Sequence, residues 1–529
     1  MYKTGAQLVR YALEQLNIPH CFATLSDDNH AIYEQLSLST SLNTRKVNHR
    51  LSAAFMADAL SRTLFDGGAG AILISTDGIA IEGIAEAFIS GIPLLIIAGS
   101  SPIDDFDARE LLHPVTKACF KLNALEDIVG TIFNAEKIAT SDKPGPVLVE
   151  IPVTLQSQGD KLNQPLPAHS TCASNTAMDA QLPDSRIEQI FNAENPCILM
   201  GYARVDAETA LIEIADHMAA PVCMMLESSS AFPATHPLHA GLVYTPAAKR
   251  TLKHCDCLLV VGADSMAIND LELPKTIVQL APEALQTFLT QLKTHQPQPR
   301  DSQAIIKAIA KDKRQLRQDW LEHNSKGHVN PIVFFDALAN CMQSDAIVVT
   351  DYGIHRALTA ELLPINNLHG FVSPSSAGAK GYCVPAVNAI KLASPDKQVI
   401  GIVGDGAMII NGMEVLTAVR AKLGTIYCLF NNSHQHIADE DTAAVNWGAF
   451  TDAMDCGYFP VHDNHNIDIT LRRAFETAAQ GQPVILDVHI DYSRNSYFAE
   501  HQRKTQLAKS AGRNTLSLVK QAIARKISG

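Results

Sequence analysis

The chain has 529 residues, of which 47% are hydrophobic and 18% are charged, a composition typical of globular proteins with large buried cores. At roughly 150 residues per domain, this length favours about three or four domains rather than one. The formal net charge is -13 and no basic block occurs along the chain. A protein that binds nucleic acid needs a cationic surface for the phosphates, so this balance argues against that class.

Three other features of the sequence indicate the cellular compartment. The first residues form an amphipathic pattern rather than a signal peptide. The most apolar stretch, Ile92–Ala98, is far shorter than the roughly 20 residues needed to span a bilayer. Eleven cysteines occur without a Cys-x-x-Cys pair, and the closest two are Cys255 and Cys257. We expect a cytoplasmic protein with reduced, mostly buried thiols and no membrane partner.

Residues 1–155 alternate between helical and strand patterns. The strand patterns are short apolar runs without polar alternation, which is typical of parallel strands buried on both faces. Helices are predicted at Gly5–Leu16, Leu51–Leu64 and Ile81–Ser90, and strands at Cys21–Leu25, Ala69–Ser75, Pro93–Ala98 and Pro146–Ile151.

Residues 186–295 form a second block, separated from the first by 156–185, a segment rich in Gln, Ser, Asn and Pro that we interpret as a linker. Strands are predicted at Cys197–Met200, Pro221–Met225 and Cys257–Val261, and helices at Ala207–Met218 and Ala247–Lys253. A second linker, with a charged helix, is expected at 296–330.

Residues 331–495 alternate in the same way and precede a C-terminal tail, 496–529. Helices are predicted at Ile332–Cys341, Pro385–Leu392 and Met413–Ala421, and strands at Ala346–Thr350, Val399–Val403, Thr425–Phe430 and Val484–His489. The sequence therefore predicts an α/β protein with three doubly wound parallel-sheet domains. The first and third blocks share a strand, an Asp-Gly turn, a helix and a strand, which indicates a duplicated fold.

A Gly-Asp-Gly turn at 404–406 follows one predicted strand, and an Asn pair at 431–432 follows the next. Two glycines allow backbone amides to approach a phosphate at a helix N-terminus. Asp405 would repel that anion unless a cation lay between them, and Mg²⁺ binds carboxylate, amide and carbonyl oxygens. We predict Asp405, the amide of Asn432 and the backbone carbonyl of His434 as metal ligands.

This motif and its surroundings resemble the thiamine-diphosphate (ThDP) enzymes of the acetolactate synthase, pyruvate oxidase and 2-oxo acid decarboxylase superfamily. The resemblance implies a pyrimidine-binding domain, a middle domain and a diphosphate-binding domain, and a cofactor held between two subunits of a homodimer or homotetramer. The similar segments cover nearly the whole chain and are NHRLSAAFMADALSR, LLHPVTKACF, GPVLVEIPVTLQ, PVCMMLESSSAFPATHPLHAGLV, VVTDYGIHR and GAKGYCVPAVNAIKLASPDKQVIGIVGDG.

The resemblance also implies which residues bind the cofactor. Those that would seat the diphosphate are Gly353, His355, Gly404, Gly406 and Ala407. The aminopyrimidine would meet the carbonyl of Gly378 and the backbone of Lys380. The small-molecule substrate would be a 2-oxo acid.

Arg50 departs from the family pattern. Most members have a glutamate at this position, which hydrogen-bonds the aminopyrimidine and helps to move its protons. A guanidinium is a permanent donor and cannot share a proton in this way. The similar glyoxylate carboligases also lack the glutamate, so its loss alone does not imply inactivity.

Two further departures lie near the same end of the cofactor. Lys380 replaces a large apolar residue, and an ammonium about 4 Å from a thiazolium would cost roughly 4 kcal/mol at an effective dielectric of 20. The family's Gly-Pro-Gly turn is shortened to Ser75-Thr76-Asp77-Gly78. The reactive end is therefore altered while the metal and diphosphate end is retained.

Three functions remain open. The first is an acetolactate synthase-like lyase or carboligase, in which Arg50 or Lys380 binds a substrate carboxylate or Lys380 acts as a base. The second is a 2-oxo acid decarboxylase. The third is a catalytically inert relative with a binding or structural role.

Other candidate residues have two interpretations each. His113 and Gln435 either reach a substrate or lie outside the site. Glu82 or Glu86, one turn apart on a helix, either replaces the missing carboxylate or has a structural role. Arg109 either binds an oxo-acid carboxylate or belongs to a solvated charged loop.

The region after the Asn pair and the middle block each raise one more question. His434 and His436 point in opposite directions on an extended chain, which favours the carbonyl role of His434 over an imidazole cluster. In the middle block, Val261–Ala263 is followed by Asp264, where FAD-containing members have an arginine. Because this carboxylate would repel a flavin diphosphate, we do not expect FAD.

Overall fold

Three parallel β-sheets organise the chain in the computed structural model, in agreement with the predicted α/β fold. None of the described helices is long and apolar enough to cross a membrane. The structure describes residues 2–63, 68–76, 78–101, 107–161, 165–169, 183–201, 208–263, 271, 273–295, 298–375, 378–431 and 445–510.

The first sheet belongs to the N-terminal part of the chain. The strands of this part are β1 (Tyr2–Thr4), β2 (His20–Ala23), β3 (Asn43–Lys46), β4 (Gly70–Ser75), β5 (Leu94–Ser100), β6 (Ala118–Lys121), β7 (Pro146–Pro152) and β8 (Gly159–Lys161). Its helices are α1 (Gly5–Gln15), α2 (His30–Ser37), α3 (Arg50–Thr63), α4 (Ile81–Ser90), α5 (Ala108–Leu112), α6 (Asp127–Thr140) and α7 (Val153–Ser157). The parallel sheet has the order β3-β2-β4-β5-β7-β6, and β1 pairs separately with β8 in antiparallel orientation.

The middle sheet has five parallel strands in the order β11-β10-β9-β12-β13. These strands are β9 (Pro196–Met200), β10 (Val222–Met224), β11 (His239–Leu242), β12 (Cys257–Val261) and β13 (Thr276–Leu280). The helices of this part are α8 (Asp184–Phe191), α9 (Glu208–Met218), α10 (Pro246–His254), α11 (Leu285–His295) and α12 (Gln303–Leu321). The last of these, α12, lies within the segment predicted as the second linker.

The third sheet has the order β15-β14-β16-β17-β19-β18. Its strands are β14 (Ile347–Thr350), β15 (Phe371–Val372), β16 (Val399–Gly404), β17 (Ile426–Phe430), β18 (Gly457–Val461) and β19 (Val484–Val488). Its helices are α13 (Pro331–Cys341), α14 (Ile354–Leu362), α15 (Cys383–Ala393), α16 (Asp405–Asn411), α17 (Val415–Ala421), α18 (Trp447–Ala453), α19 (Ile467–Ala479) and α20 (Tyr497–Ser510). When the strands of each sheet are counted along the chain, the third sheet arranges them in the same spatial order as the first. A duplicated fold requires this.

The inner strands of the three sheets were all predicted from sequence, and the edge strands were all missed. An inner strand such as β5 is buried along its whole length and appears as a continuous apolar run. The edge strand β3 consists of Asn43–Lys46 and is mostly exposed. The polar and charged residues of β3 limit pairing with other chains, and they leave this strand without the apolar signal.

The first and third domains pack against each other through α3 and α15. Apolar side chains at this contact include Phe55 and Tyr382, whose rings meet edge to face with centroids 5.2 Å apart. The packing holds the N-terminus of α3, where Arg50 lies, against the domain that contains the Gly-Asp-Gly turn. The contact thus fixes the first domain relative to the third within one chain.

Candidate cofactor site

The carboxyl ends of β14 and β16 form a crevice in the third sheet. The chain leaves β14 towards β15 on one side and returns to β16 on the other, so these two neighbours form a topological switch point. Ligands of open α/β sheets commonly bind in such crevices. Gly353 and His355 follow β14, and Gly404 ends β16. The fold therefore brings these predicted residues to one edge.

His355 lies between the two loops of this crevice. A Cβ atom added to Gly353 would lie 2.5 Å from its Cε1 atom, and one added to Gly404 would lie 3.1 Å from the same atom. The residue is 5% exposed, and burial together with Arg356 lowers the pKa of His355 to about 3. Its Nε2 atom has no hydrogen-bond partner among the described residues. A buried, neutral imidazole nitrogen at this edge fits a ligand that offers a hydrogen-bonding group.

The Gly-Asp-Gly turn starts α16 directly, earlier than the helix predicted at Met413–Ala421. That predicted helix is a 3-10 turn followed by α17. Asp405 is partly exposed, and its Oδ1 atom accepts the Gly406 N–H at 2.7 Å. A Cβ atom at Gly406 would have no atom within 4 Å, so the backbone is open on this side. Ala407 follows in the same turn and is buried.

The remaining predicted metal ligands, Asn432 and His434, lie outside the described residues, as does Gln435. Asn431, the first residue of the pair, donates from Nδ2 to Oδ1 of Asp487 at 2.9 Å. Within the described ranges, no group of three or more His, Cys, Asp or Glu side chains is placed to hold a metal. Asp405 is thus the one predicted ligand whose position the structure gives.

The turn that carries Lys380 is held by a buried carboxylate. Asp351, which directly follows β14, accepts the N–H groups of Gly381 at 3.0 Å and Cys383 at 2.8 Å. Burial raises the pKa of Asp351 to about 7, against the lowering effect of these amides and of Lys380. The Lys380 side chain is exposed, and Gly378 has φ +87° with open space at its α-carbon. The predicted aminopyrimidine contacts therefore lie on a fixed turn next to the crevice.

Arg50 begins α3 and is exposed at the edge of the first domain. Its guanidinium lies over Gly78, where an added Cβ atom would come within 1.4 Å of Nη1. The loops after β2 and β4 meet nearby, because Ser75 donates to the Asp28 carboxylate at 2.7 Å. These loops flank the switch point of the first sheet, so Arg50 is at the edge that corresponds to the crevice of the third sheet.

His113 and Arg109 line an open depression of about 520 Å³ on the first domain. Arg109 forms a two-pronged pair with the Asp107 carboxylate, at 3.0 Å through Nε and 2.6 Å through Nη2. This pair lowers the pKa of Asp107 to about 2. The charge of Arg109 is therefore already balanced by Asp107. Arg109 could bind a substrate carboxylate only by breaking this pair. His113 has an exposed side chain in the same depression.

Glu86 has a structural role in this arrangement. It is buried and accepts hydrogen bonds from Arg62 Nη2 at 3.0 Å, the Ser375 N–H at 2.5 Å and the Ser375 Oγ at 2.9 Å. Because Ser375 belongs to the third domain, these bonds join the two domains. Glu82 is exposed on the first turn of α4, and partial burial raises the pKa of Glu82. Of the two candidates for the missing carboxylate, only Glu82 keeps an exposed carboxyl group.

The buried charges around Glu86 were not predicted from the sequence. Asp58 accepts two hydrogen bonds from Arg62, at 2.6 and 3.2 Å, and one from the Tyr382 hydroxyl at 2.7 Å. Burial raises the pKa of Asp58, and Arg62 opposes that rise. The available signal was an Asp–Arg pair four residues apart in a helix of otherwise small and apolar residues.

Three family models match successive parts of the chain. Residues 3–121 match the N-terminal TPP binding domain of thiamine pyrophosphate enzymes, 184–292 the central domain, and 351–488 the C-terminal TPP binding domain. The acetolactate synthase isozyme 1 large subunit of Escherichia coli K12 is 26% identical, over 81% of this chain and 82% of its own.

Two further relatives have a similarly low sequence identity. The acetolactate synthase large subunit of Buchnera aphidicola subsp. Acyrthosiphon pisum is 24% identical over 98% of this chain and 99% of its own. The probable acetolactate synthase large subunit of Methanocaldococcus jannaschii is 25% identical over 81% and 80%, respectively. With all three domain types matched in order, the chain belongs to the thiamine pyrophosphate enzymes and is a distant relative of the acetolactate synthase large subunits.

Proposed function

We propose that this protein is a ThDP- and Mg²⁺-dependent enzyme that acts on a 2-oxo acid as an acetolactate synthase-like lyase or carboligase. The observation that carries the proposal is the buried imidazole of His355, whose Cε1 atom lies against Gly353 and Gly404 and whose Nε2 atom has no hydrogen-bond partner among the described residues. The imidazole ring lies beside Gly404, in the turn that presents Asp405 and the open backbone of Gly406. The imidazole and the open backbone suit a bound diphosphate. The Asp405 carboxylate suits the cation that must lie between it and this anion.

In this proposal, each end of the cofactor has its own set of residues. Asp405, Asn432 and the His434 carbonyl hold Mg²⁺. Gly378 and the backbone of Lys380 meet the aminopyrimidine. The diphosphate is seated by Gly353, His355, Gly404, Gly406 and Ala407. When bound there, ThDP would supply a nucleophilic carbon centre for chemistry at the carbonyl of a 2-oxo acid.

Arg50 and Lys380 act on the substrate rather than on the metal end. The Arg50 guanidinium is always charged and offers paired donors, so it binds the carboxylate of the 2-oxo acid. A lysine amine can exchange a proton where a guanidinium cannot, which makes Lys380 the candidate for acid–base work that Arg50 cannot perform. These roles explain why both cations lie at the altered end.

We also propose that the active unit is a homodimer or homotetramer. Ile409, Ile410 and Met413, in and after α16, are 64%, 52% and 56% exposed, respectively. Large apolar side chains that are exposed together mark an association surface. Because this surface adjoins Asp405, a second copy bound to it would lie next to the proposed site.

Arg50→Gln tests the carboxylate role. With pyruvate as the probe substrate, the wild-type protein is expected to consume it only with both ThDP and Mg²⁺ present. Loss of one charge-assisted hydrogen bond is worth about 1.5–3 kcal/mol, so kcat/KM should fall roughly 10- to 100-fold, mainly through KM.

Arg45→Gln is the matched control, because Arg45 is an exposed cation on the neighbouring strand β3. Its kinetics should stay close to those of the wild-type protein. An unchanged KM in Arg50→Gln would refute the carboxylate role while leaving the proposed cofactor intact.

An inert ThDP-binding relative is the second candidate, favoured by the cations at positions 50 and 380. In that case the wild-type protein binds ThDP without consuming pyruvate. The double variant Arg50→Glu, Lys380→Met restores the residue types usual in the family. A gain of pyruvate consumption would show that these two residues cause the inactivity, and no gain would show that they do not.

A further inference from the structure

The segments that carry the proposed cofactor contacts are joined by one buried series of hydrogen bonds. Asn411, the last residue of α16, is at its centre. Its Oδ1 atom accepts the Ser52 hydroxyl at 3.0 Å, and its Nδ2 atom donates to the Gly381 carbonyl at 3.0 Å. Asn411 therefore links α3, which begins with Arg50, and α16, which begins with Asp405, to the Lys380 turn.

The series continues from Gly381 to Asp351. The Gly381 N–H donates to the Asp351 carboxylate, so this residue is held through its carbonyl by Asn411 and through its amide by Asp351. Gly381 has φ +84°, and an added Cβ atom would lie 3.0 Å from the Asn411 Cβ and from Ile410. Backbone conformation and space both require glycine here. The turn is thus closely fitted to the C-terminal end of α16.

Because these hydrogen bonds are buried, they fix the positions of the groups that they join. Ser52 and Asp351 are 0% exposed and Asn411 is 6% exposed. In such surroundings water cannot replace a lost partner, so the remaining donor or acceptor is left unsatisfied. A change at Asn411 would therefore move the Lys380 turn rather than simply exchange one hydrogen bond for another.

We infer that Asn411 is a positioning residue, which sets the distance between the aminopyrimidine end and the diphosphate end of the site. This inference rests on the proposed function. The Lys380 turn meets the aminopyrimidine, whereas Asp405 and His355 hold the metal and the diphosphate. Asn411 is the side chain that joins the turn directly to the helix of Asp405, and it also fixes the start of the Arg50 helix through Ser52.

Asn411→Ala separates this role from simple support of the fold. The affinities of the full-length protein for ThDP and for inorganic pyrophosphate, both with Mg²⁺, are measured by calorimetry. We expect the ThDP dissociation constant to rise about tenfold or more, equivalent to about 1.4 kcal/mol, and that of pyrophosphate to change less than about twofold.

Asn388→Ala is the matched control, since Asn388 is another buried asparagine of the third domain. It donates to the Glu414 carbonyl at 2.8 Å and is not among the proposed cofactor contacts. This variant should leave the ratio of the two affinities unchanged, even if it loses stability. If Asn411→Ala does not fold, Ser52→Ala removes one bond to the same amide, and the ThDP constant alone should rise about threefold.

Equal weakening of ThDP and pyrophosphate in the folded Asn411 variant would overturn the inference, as would an unchanged ThDP affinity. Where Ser52→Ala replaces that variant, either of these two results in Ser52→Ala would overturn the inference in the same way. Failure of the wild-type protein to bind ThDP would instead overturn the proposed function, and that result needs no variant.

Discussion

Asp405→Asn is expected to abolish Mg²⁺-dependent ThDP binding. Asp405 is the predicted metal ligand at the start of α16, and its carboxylate is partly exposed at the crevice between β14 and β16. An amide has nearly the same shape but no charge, so it loses the main attraction for a hard divalent cation. We expect the ThDP dissociation constant with Mg²⁺ to rise at least about 100-fold, measured by calorimetry.

Asp468→Asn provides the control for this experiment. Asp468 is an exposed carboxylate in the first turn of α19, on the same domain. Its replacement removes one negative charge without touching the Gly-Asp-Gly turn, and ThDP binding should be preserved. Retained Mg²⁺-dependent affinity in Asp405→Asn would show that the metal is held elsewhere.

Arg62→Met is expected to lower the free energy of unfolding by about 3–5 kcal/mol. Arg62 is 6% exposed and pairs with the Asp58 and Glu86 carboxylates, at 2.6 and 3.0 Å. Removing one partner of a buried ion pair leaves uncompensated charge in the interior. Two carboxylates would lose their cation here, between the first and third domains.

The loss should be larger at pH 8 than at pH 5. Arg62 opposes the rise in the pKa of Asp58 that burial causes, so its removal raises that pKa further. A carboxyl group whose pKa is raised on folding destabilises the folded state once pH rises above its pKa in the unfolded chain. The effect is largest when pH is also above its pKa in the folded protein. Urea unfolding at the two pH values measures this difference.

Arg317→Met is the matched control for Arg62→Met. Arg317 also forms a two-pronged pair, with Asp336, but its side chain is 49% exposed. Exposed pairs contribute about 0–1 kcal/mol, so this variant should unfold almost like the wild-type protein. A similar small loss in Arg62→Met would contradict the role of the buried charges in joining the domains.

The inner strands and the Gly-Asp-Gly turn could be predicted from sequence because each has a local signal. A strand such as β5 is a run of apolar residues, and the turn at 404–406 has a short, characteristic pattern. The edge strand β3 has no such run, since one side of the strand is unpaired and its residues are polar. Strand order along each sheet also has no local signal.

The role of Glu86 could not be predicted for a different reason. Its spacing from Glu82 is compatible with a surface pair, a packing role or a catalytic carboxylate. The structure shows bonds to Ser375, which is 289 positions away along the chain. Asn411 is similar, because its partners Ser52 and Gly381 come from two distant segments. Contacts of this kind become visible only when the domains are in place.

Titration of the cofactor-free wild-type protein with ThDP, with and without Mg²⁺, tests the central claim most directly. The claim is that the crevice between β14 and β16 still binds ThDP although Arg50 and Lys380 have altered the reactive end. We expect a saturable calorimetric signal in the presence of Mg²⁺ that is lost when the metal is removed by a chelator. Absence of binding with Mg²⁺ present would contradict the claim.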